Sequence, residues 1–138
     1  MNLSDLIART KQETEEAKKQ LLKTFEFVPD DKLKWSPSES ARTPLWLVGH
    51  CGVSNEAFAT AIRGEQLQIP SDLQEASRRI REGGRDVPTR EAAIALVEQG
   101  TAKVLDALDR VTEEMVNSTP MSPFGPIPFT FWMKLPNH

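Results

Sequence analysis

Val97, Thr101, Val104, Leu108, Val111 and Met115 recur at alternating steps of four and three residues. That spacing keeps a single stripe of side chains on one side of an α-helix. It suits packing along the helix length on near-parallel or antiparallel neighbours. A chain carrying such a seam needs partner helices to cover it. No segment shows sustained strand alternation and no internal repeat is evident, so the expected architecture is an all-α bundle. The 138 residues suit one domain over 1–138, long enough to bury a core without disulfides or a structural metal.

The other helices follow from caps and breakers. Thr89 caps the seam-bearing helix, Glu91 lies in its first turn, and Asn117-Ser118-Thr119-Pro120 stops it. A first helix is expected from Ser4, as N-cap, to about Phe27, where Val28-Pro29 turns the chain out of helical geometry. Its apolar stripe runs through Leu6, Ile7, Thr10, Thr14, Ala17 and Leu21. Leu33 and Trp35 in the following connection are expected to pack as plugs. Thr43-Pro44, a cap followed by proline at the first helical position, opens a second helix that runs to Arg63, with Gly64 at its end. Leu47, Cys51, Ser54, Asn55, Phe58 and Ile62 mark one face of it, and Trp46, His50, Val53, Ala57 and Ala61 another. A helix with apolar residues on both faces is expected to be central. A short helix over 71–82 precedes the breaker Gly83-Gly84.

Charge and cysteine content remove several functional classes. Seventeen Lys+Arg against twenty Asp+Glu give a net charge of −3. Nucleic acid as a partner is disfavoured, because that needs a basic face to neutralise phosphates. Cys51 stands alone and cannot form an internal disulfide. Arg42 and Arg63 bracket the apolar stretch and Glu56 interrupts it, so no membrane span is expected. With no basic-then-apolar signal at the N-terminus, the expectation is a soluble, cytoplasmic protein. Arg78, Arg79, Arg81, Arg85 and Arg90 interleave with Glu75, Glu82, Asp86 and Glu91, which reads as a solvated charged surface rather than an anion site.

Two histidines carry the chemistry within reach. His50 lies in the least polar helical stretch, and a buried imidazole there needs a hydrogen-bond partner or a metal. His138 ends the sequence. Cys51 follows His50 directly, but adjacent helical residues point about 100° apart, so Cys51 reads as a small core residue. Glu56 reads as solvated or ion-paired. The tail from Pro120 to His138 holds prolines at 120, 123, 126, 128 and 136 among Phe124, Phe129, Phe131 and Trp132. It either lids one end of the bundle and leads into a last helix, or lends Phe124, Phe129 and Trp132, with Trp46, to the walls of a pocket. Pro136 either kinks a helix already begun or starts a new one.

The run Thr43-Pro-Leu-Trp-Leu-Val-Gly-His50-Cys-Gly-Val-Ser-Asn-Glu56 resembles the second-helix signature of DinB-like (YfiT-like) proteins. The long amphipathic first helix, the Val28-Pro29-Asp30-Asp31 segment with Trp35-Ser36-Pro37, and the aromatic stretch before Asn137-His138 fit the same pattern. The resemblance implies a four-helix bundle in up-down-down-up order. It also implies a divalent metal, zinc or nickel, held by three histidines, two of them four residues apart on the last helix. Carried over, His50 is the first ligand and His138 the first of that pair; the third falls four residues beyond the sequence, so the last helix is expected to be cut short. The activity implied is that of a metal-dependent thiol S-transferase or hydrolase on small molecules, with a low-molecular-weight thiol as a candidate cofactor and a homodimer as the assembly. The alternative is a non-catalytic helical-bundle dimer with an incomplete metal site.

Overall fold

The structure is a computed structural model that describes residues 2–137. Three long helices dominate it: α1 (Leu3–Glu26), α2 (Pro44–Ile62) and α4 (Arg90–Asp109), with α3 (Leu73–Glu82) between α2 and α4. After α4 come the one-turn α5 (Glu113–Val116) and a minimal hairpin, β1 (Met121–Ser122) paired antiparallel with β2 (Gly125–Pro126). Helix α6 (Phe129–Lys134) and a 3₁₀ turn (Leu135–Asn137) follow. The all-α expectation holds. No helix among the described residues is long and apolar enough to cross a membrane.

The α2–α4 pair is the spine, and small residues bring it close. A Cβ on Gly52 would lie 2.6 Å from the Leu96 carbonyl carbon, and one on Gly100 would lie 2.5 Å from the Gly52 carbonyl oxygen. Helix α1 lies mainly on α4, while α6 and the 3₁₀ turn after it pack against α2 and α1 in the fourth position of the bundle. Two apolar clusters result. One gathers Ile62, Val104, Leu108, Phe129, Trp132 and Met133; the other gathers Phe25, Leu45, Val48, Ala93 and Val97.

Thr43 and Thr89 cap α2 and α4 as expected, their hydroxyls accepting from Trp46 N–H and Ala92 N–H. Three expectations need correction. Asn2, not Ser4, caps α1, with its Oδ1 accepting from Asp5 N–H at 2.8 Å. The seam helix ends at Asp109 rather than at Asn117, because Thr112 starts a new helix by accepting from Met115 N–H; Val111 still joins the core. Trp35 is no plug: it is 53% exposed, although Leu33 packs against the second cluster.

The buried line of α2 also differs from the two faces expected. Leu45, Val48, Gly49, Gly52, Ala59 and Ile62 are buried, whereas Leu47 and Ala57 are exposed. The helix is central through its glycines, which admit neighbouring backbone, more than through its larger side chains. Pro136 neither kinks a helix nor starts an α-helix; it sits within the closing 3₁₀ turn.

Candidate metal centre

His50 lies one turn after Trp46 and one turn before Ser54 on α2, half-buried, facing the connection between α3 and α4. Two glycines let that connection approach the helix. Gly84 has φ +82°, and a Cβ there would overlap the backbone of Gly49 and His50. Gly49 is the counterpart: its Cβ would lie 2.7 Å from Val87 Cγ2 and 3.0 Å from the Gly84 carbonyl oxygen. With both side chains absent, the Gly83 carbonyl reaches His50 Nδ1 at 3.0 Å. A carbonyl can only accept, so Nδ1 carries a proton, which favours the tautomer whose lone pair is on Nε2. This is the arrangement in which a ligating imidazole is ordinarily held.

Nε2 has the Ser54 hydroxyl 3.4 Å away, long for a hydrogen bond involving a hydroxyl. His50, Cys51, Ser54 and Asn55 line a cleft of about 520 Å³ between α1, α2, α4 and the end of the described chain, where Leu135, Pro136 and Asn137 close it. Asn137 is tied to α1: its Oδ1 lies 2.9 Å from the Thr14 hydroxyl, and its Nδ2 donates to Glu13 Oε2 at 3.3 Å. His138, the second expected ligand, lies outside the described residues. Among those residues no group of three His, Cys, Asp or Glu side chains is placed to hold a metal. One imidazole with a fixed tautomer fits a metal ligand; the rest of a donor set has to come from elsewhere.

The cleft has one further polar feature. Thr10 and Thr60 donate their hydroxyls to the carbonyl four residues earlier in their helix, and Thr14 shares its one proton between the Thr10 carbonyl and Asn137 Oδ1. Thr101, also helical and lining the cleft, makes no such bond: its Oγ1 is buried and has no partner among the described residues. Leaving a buried hydroxyl unsatisfied costs about 1–3 kcal/mol. Cys51, which lines the same cleft, is half-buried, and burial raises its thiol pKa against the opposing pull of the Arg42 charge.

The expected aromatic pocket does not assemble as one site. Phe129 and Trp132 line a different cleft, of about 550 Å³, bounded by Met115, Leu67 and the hairpin. Phe124 is half-exposed at the hairpin tip and lines neither that cleft nor the one at His50. Trp46 is buried one turn from His50, under the guanidinium groups of Arg42 (5.6 Å) and Arg85 (5.3 Å). It borders a separate groove, and its indole N–H has no partner among the described residues.

The remaining charges behave largely as a surface. Glu56 pairs with Lys103 at 2.8 Å. On α3, Arg78 bridges Glu75 and Glu82 and Arg79 also reaches Glu75; Arg85, just after the helix, reaches Glu82. Arg90 instead works structurally, donating to the Phe25 and Val28 carbonyls and to Asp30.

The family model described as the DinB superfamily matches residues 13–137. The chain belongs to the DinB superfamily. A search of curated proteins finds no match. Membership accounts for the bundle, and the matched residues of this DinB-superfamily chain include His50 and the Gly83-Gly84 connection. Gly83-Gly84 breaks a helix, as its sequence implies, and the Gly83 carbonyl also orients His50, a role that no local sequence pattern signals.

Proposed function

We propose that this DinB-superfamily chain is a divalent-metal-dependent enzyme that works on a small molecule in the cleft beside His50, as a thiol S-transferase or a hydrolase. His50 Nε2 is one ligand and His138 a second, with zinc or nickel as the ion. The observation that carries this reading is the Gly83 carbonyl 3.0 Å from Nδ1, which holds the ring with its other nitrogen available. Asn137, the residue before His138 in sequence, lines the same cleft. A divalent ion bound there lowers the pKa of a coordinated thiol or water and so supplies a nucleophile near neutral pH. The chain's own residues hold the imidazole, wall the cleft and orient what enters it.

A second reading has its own observation. With Ser54 Oγ 3.4 Å from Nε2, both ring nitrogens have internal neighbours, as in a structural histidine of a non-catalytic bundle that dimerises through exposed apolar side chains such as Met121, Phe124 and Phe131. The long Ser54 distance makes this the weaker account.

Metal analysis of the purified full chain after equilibration with zinc or nickel and removal of free ion separates the two. The enzyme reading expects about one ion per active site, lost in His50→Ala while the far-ultraviolet circular dichroism stays unchanged. An ion content indifferent to His50, or no retained ion at all, favours the second reading. Transfer assays with a panel of small thiols then address the reaction.

A further inference from the structure

We infer that the Asn55 carboxamide is a recognition group of the His50 cleft, and that the cleft takes a small molecule with an apolar body and a planar carboxylate or carboxamide head. Both heads offer a carbonyl-type oxygen; they differ in charge and in whether they carry an N–H. This rests on the reading of the cleft as the working site, but not on a bound metal.

Asn55 and Asn137 are the half-buried asparagines of the described residues. Asn137 is satisfied from α1, through the Thr14 hydroxyl and the Glu13 carboxylate. Asn55 has no hydrogen-bond partner among the described residues, and neither end of its amide is sealed from the surface. It lines the His50 cleft and not the clefts at Trp132 or Trp46. A carboxamide carries N–H donors and a carbonyl acceptor. An accessible donor and an accessible acceptor therefore stand side by side in the wall of the cleft.

The helix fixes where that amide sits. At about 100° per residue, His50, Cys51, Ser54, Asn55 and Phe58 fall within an arc of about 140° on α2, with His50 at one edge and Asn55 at the other. The two edges are about 7.5 Å apart along the helix axis. The root of Asn55 is held against α4, where a Cβ on Gly100 would lie 3.0 Å from Asn55 Cβ. Phe58, with Leu21, Val97 and Leu135, supplies the apolar surface that the body of a ligand covers. Among the described residues no Asp or Glu side chain lines the cleft, whereas Lys18 does, its charge shared with Glu98 at 3.3 Å. Such a wall disfavours amines and accepts a neutral or anionic head. Asn55 Nδ2 donates to the oxygen of that head, and Oδ1 accepts from its N–H where the head is an amide. The other end of the molecule lies toward His50.

The test uses the full chain freed of metal with a chelator at neutral pH, and benzamide, benzoate and toluene as probes that share a ring and differ in the head. Binding is followed through the backbone amide signals of Ser54, Phe58 and Val97. Benzamide and benzoate are expected to bind more tightly than toluene, and the tighter of the two names the head. Asn55→Asp keeps the size of the side chain, and so its packing on Gly100, but replaces the donor with a charged acceptor. It is expected to weaken benzoate about tenfold or more, the weight of a lost hydrogen bond to a charged group. Benzamide, which donates to the new carboxylate, and toluene hold their affinity. Asn55→Ala removes donor and acceptor together and brings both oxygenated probes down toward toluene. Benzoate affinity unchanged in Asn55→Asp, or benzamide affinity unchanged in Asn55→Ala, overturns the inference. So does toluene binding as tightly as the other two, or a failure of every probe to shift the cleft signals. Metal content that ignores His50, with the Asn55 dependence intact, sinks the metal reading and leaves this one standing.

Discussion

Replacing Gly84 by alanine probes how the imidazole is held, and two other glycines allow its cost to be divided. At Gly125, in the hairpin, φ is +101° and nothing lies within 4 Å of a Cβ position, so alanine there meets only the left-handed backbone, worth about 1–2 kcal/mol. At Gly52, inside α2, the backbone is helical but the Cβ would meet the Leu96 backbone at 2.6 Å. That overlap costs about 1–3 kcal/mol, offset by about 1 kcal/mol of helix propensity gained over glycine. Gly84 combines both penalties: φ is +82°, and its Cβ would lie 2.8 Å from the Gly49 carbonyl oxygen and closer still to the backbone atoms beside it. Backbone cannot rotate aside as a side chain can. Gly84→Ala should therefore cost about 2–5 kcal/mol, the sum of the two, out of a total stability of about 5–15 kcal/mol. Urea denaturation of the three variants measures this. A nitrogen–proton correlation spectrum of the His50 ring should show Nδ1 losing its fixed proton as the Gly83 carbonyl moves away. If Gly84→Ala costs no more than Gly125→Ala and the ring tautomer is unchanged, the connection does not press on α2 and the account of the site is wrong.

Two more outcomes can be checked on intact protein. The Glu75 carboxyl is pulled down to about 2 by hydrogen bonds from Arg78, then Arg79, so its carbon-13 titration midpoint should lie there and climb toward the usual 4.5 in Arg78→Ala. Because the folded value is depressed, its contribution to α3 is complete above 4.5 and lost as pH falls toward about 2; exposure keeps that contribution small, so a large acid transition of the whole fold tracking Glu75 would contradict it. Cys51 should react with iodoacetamide at pH 8 more slowly than an unstructured cysteine peptide, since burial raises its thiol pKa, and more slowly still in Arg42→Ala, which removes the one charge opposing the shift. A rate above that of the peptide would show the thiolate to be favoured instead.

What the residues disclosed in advance was mostly local. Thr43-Pro44 and Thr89 announce helix starts because a cap acts within three residues, and the hydrogen bonds at Trp46 and Ala92 bear that out. Asn2 and Ser4 are both competent caps two residues apart, and only the geometry decides between them. The seam overran its helix because periodicity does not register that Thr112 can begin a helix of its own. The grouping of Phe124 and Trp46 with Phe129 and Trp132 failed for a different reason: aromatic content does not say which cleft a ring lines. At His50 the motif was visible, but its acceptor lies 33 residues away across a glycine contact that no spacing rule encodes. Thr101 was visible only as one position in a stripe. That its hydroxyl stays unpaired depends on which rotamer the packing imposes, and that is a tertiary fact.

The ties from Asn137 to Thr14 and Glu13 join positions 123 and 124 residues apart. Such distant closure carries a heavy entropic toll and comes late in folding. During synthesis α1 and α2 are finished before α4, on which both mainly pack, and before the far wall of the cleft is translated. A nascent chain interrupted before Leu135 would thus own the imidazole but not the full chamber around it.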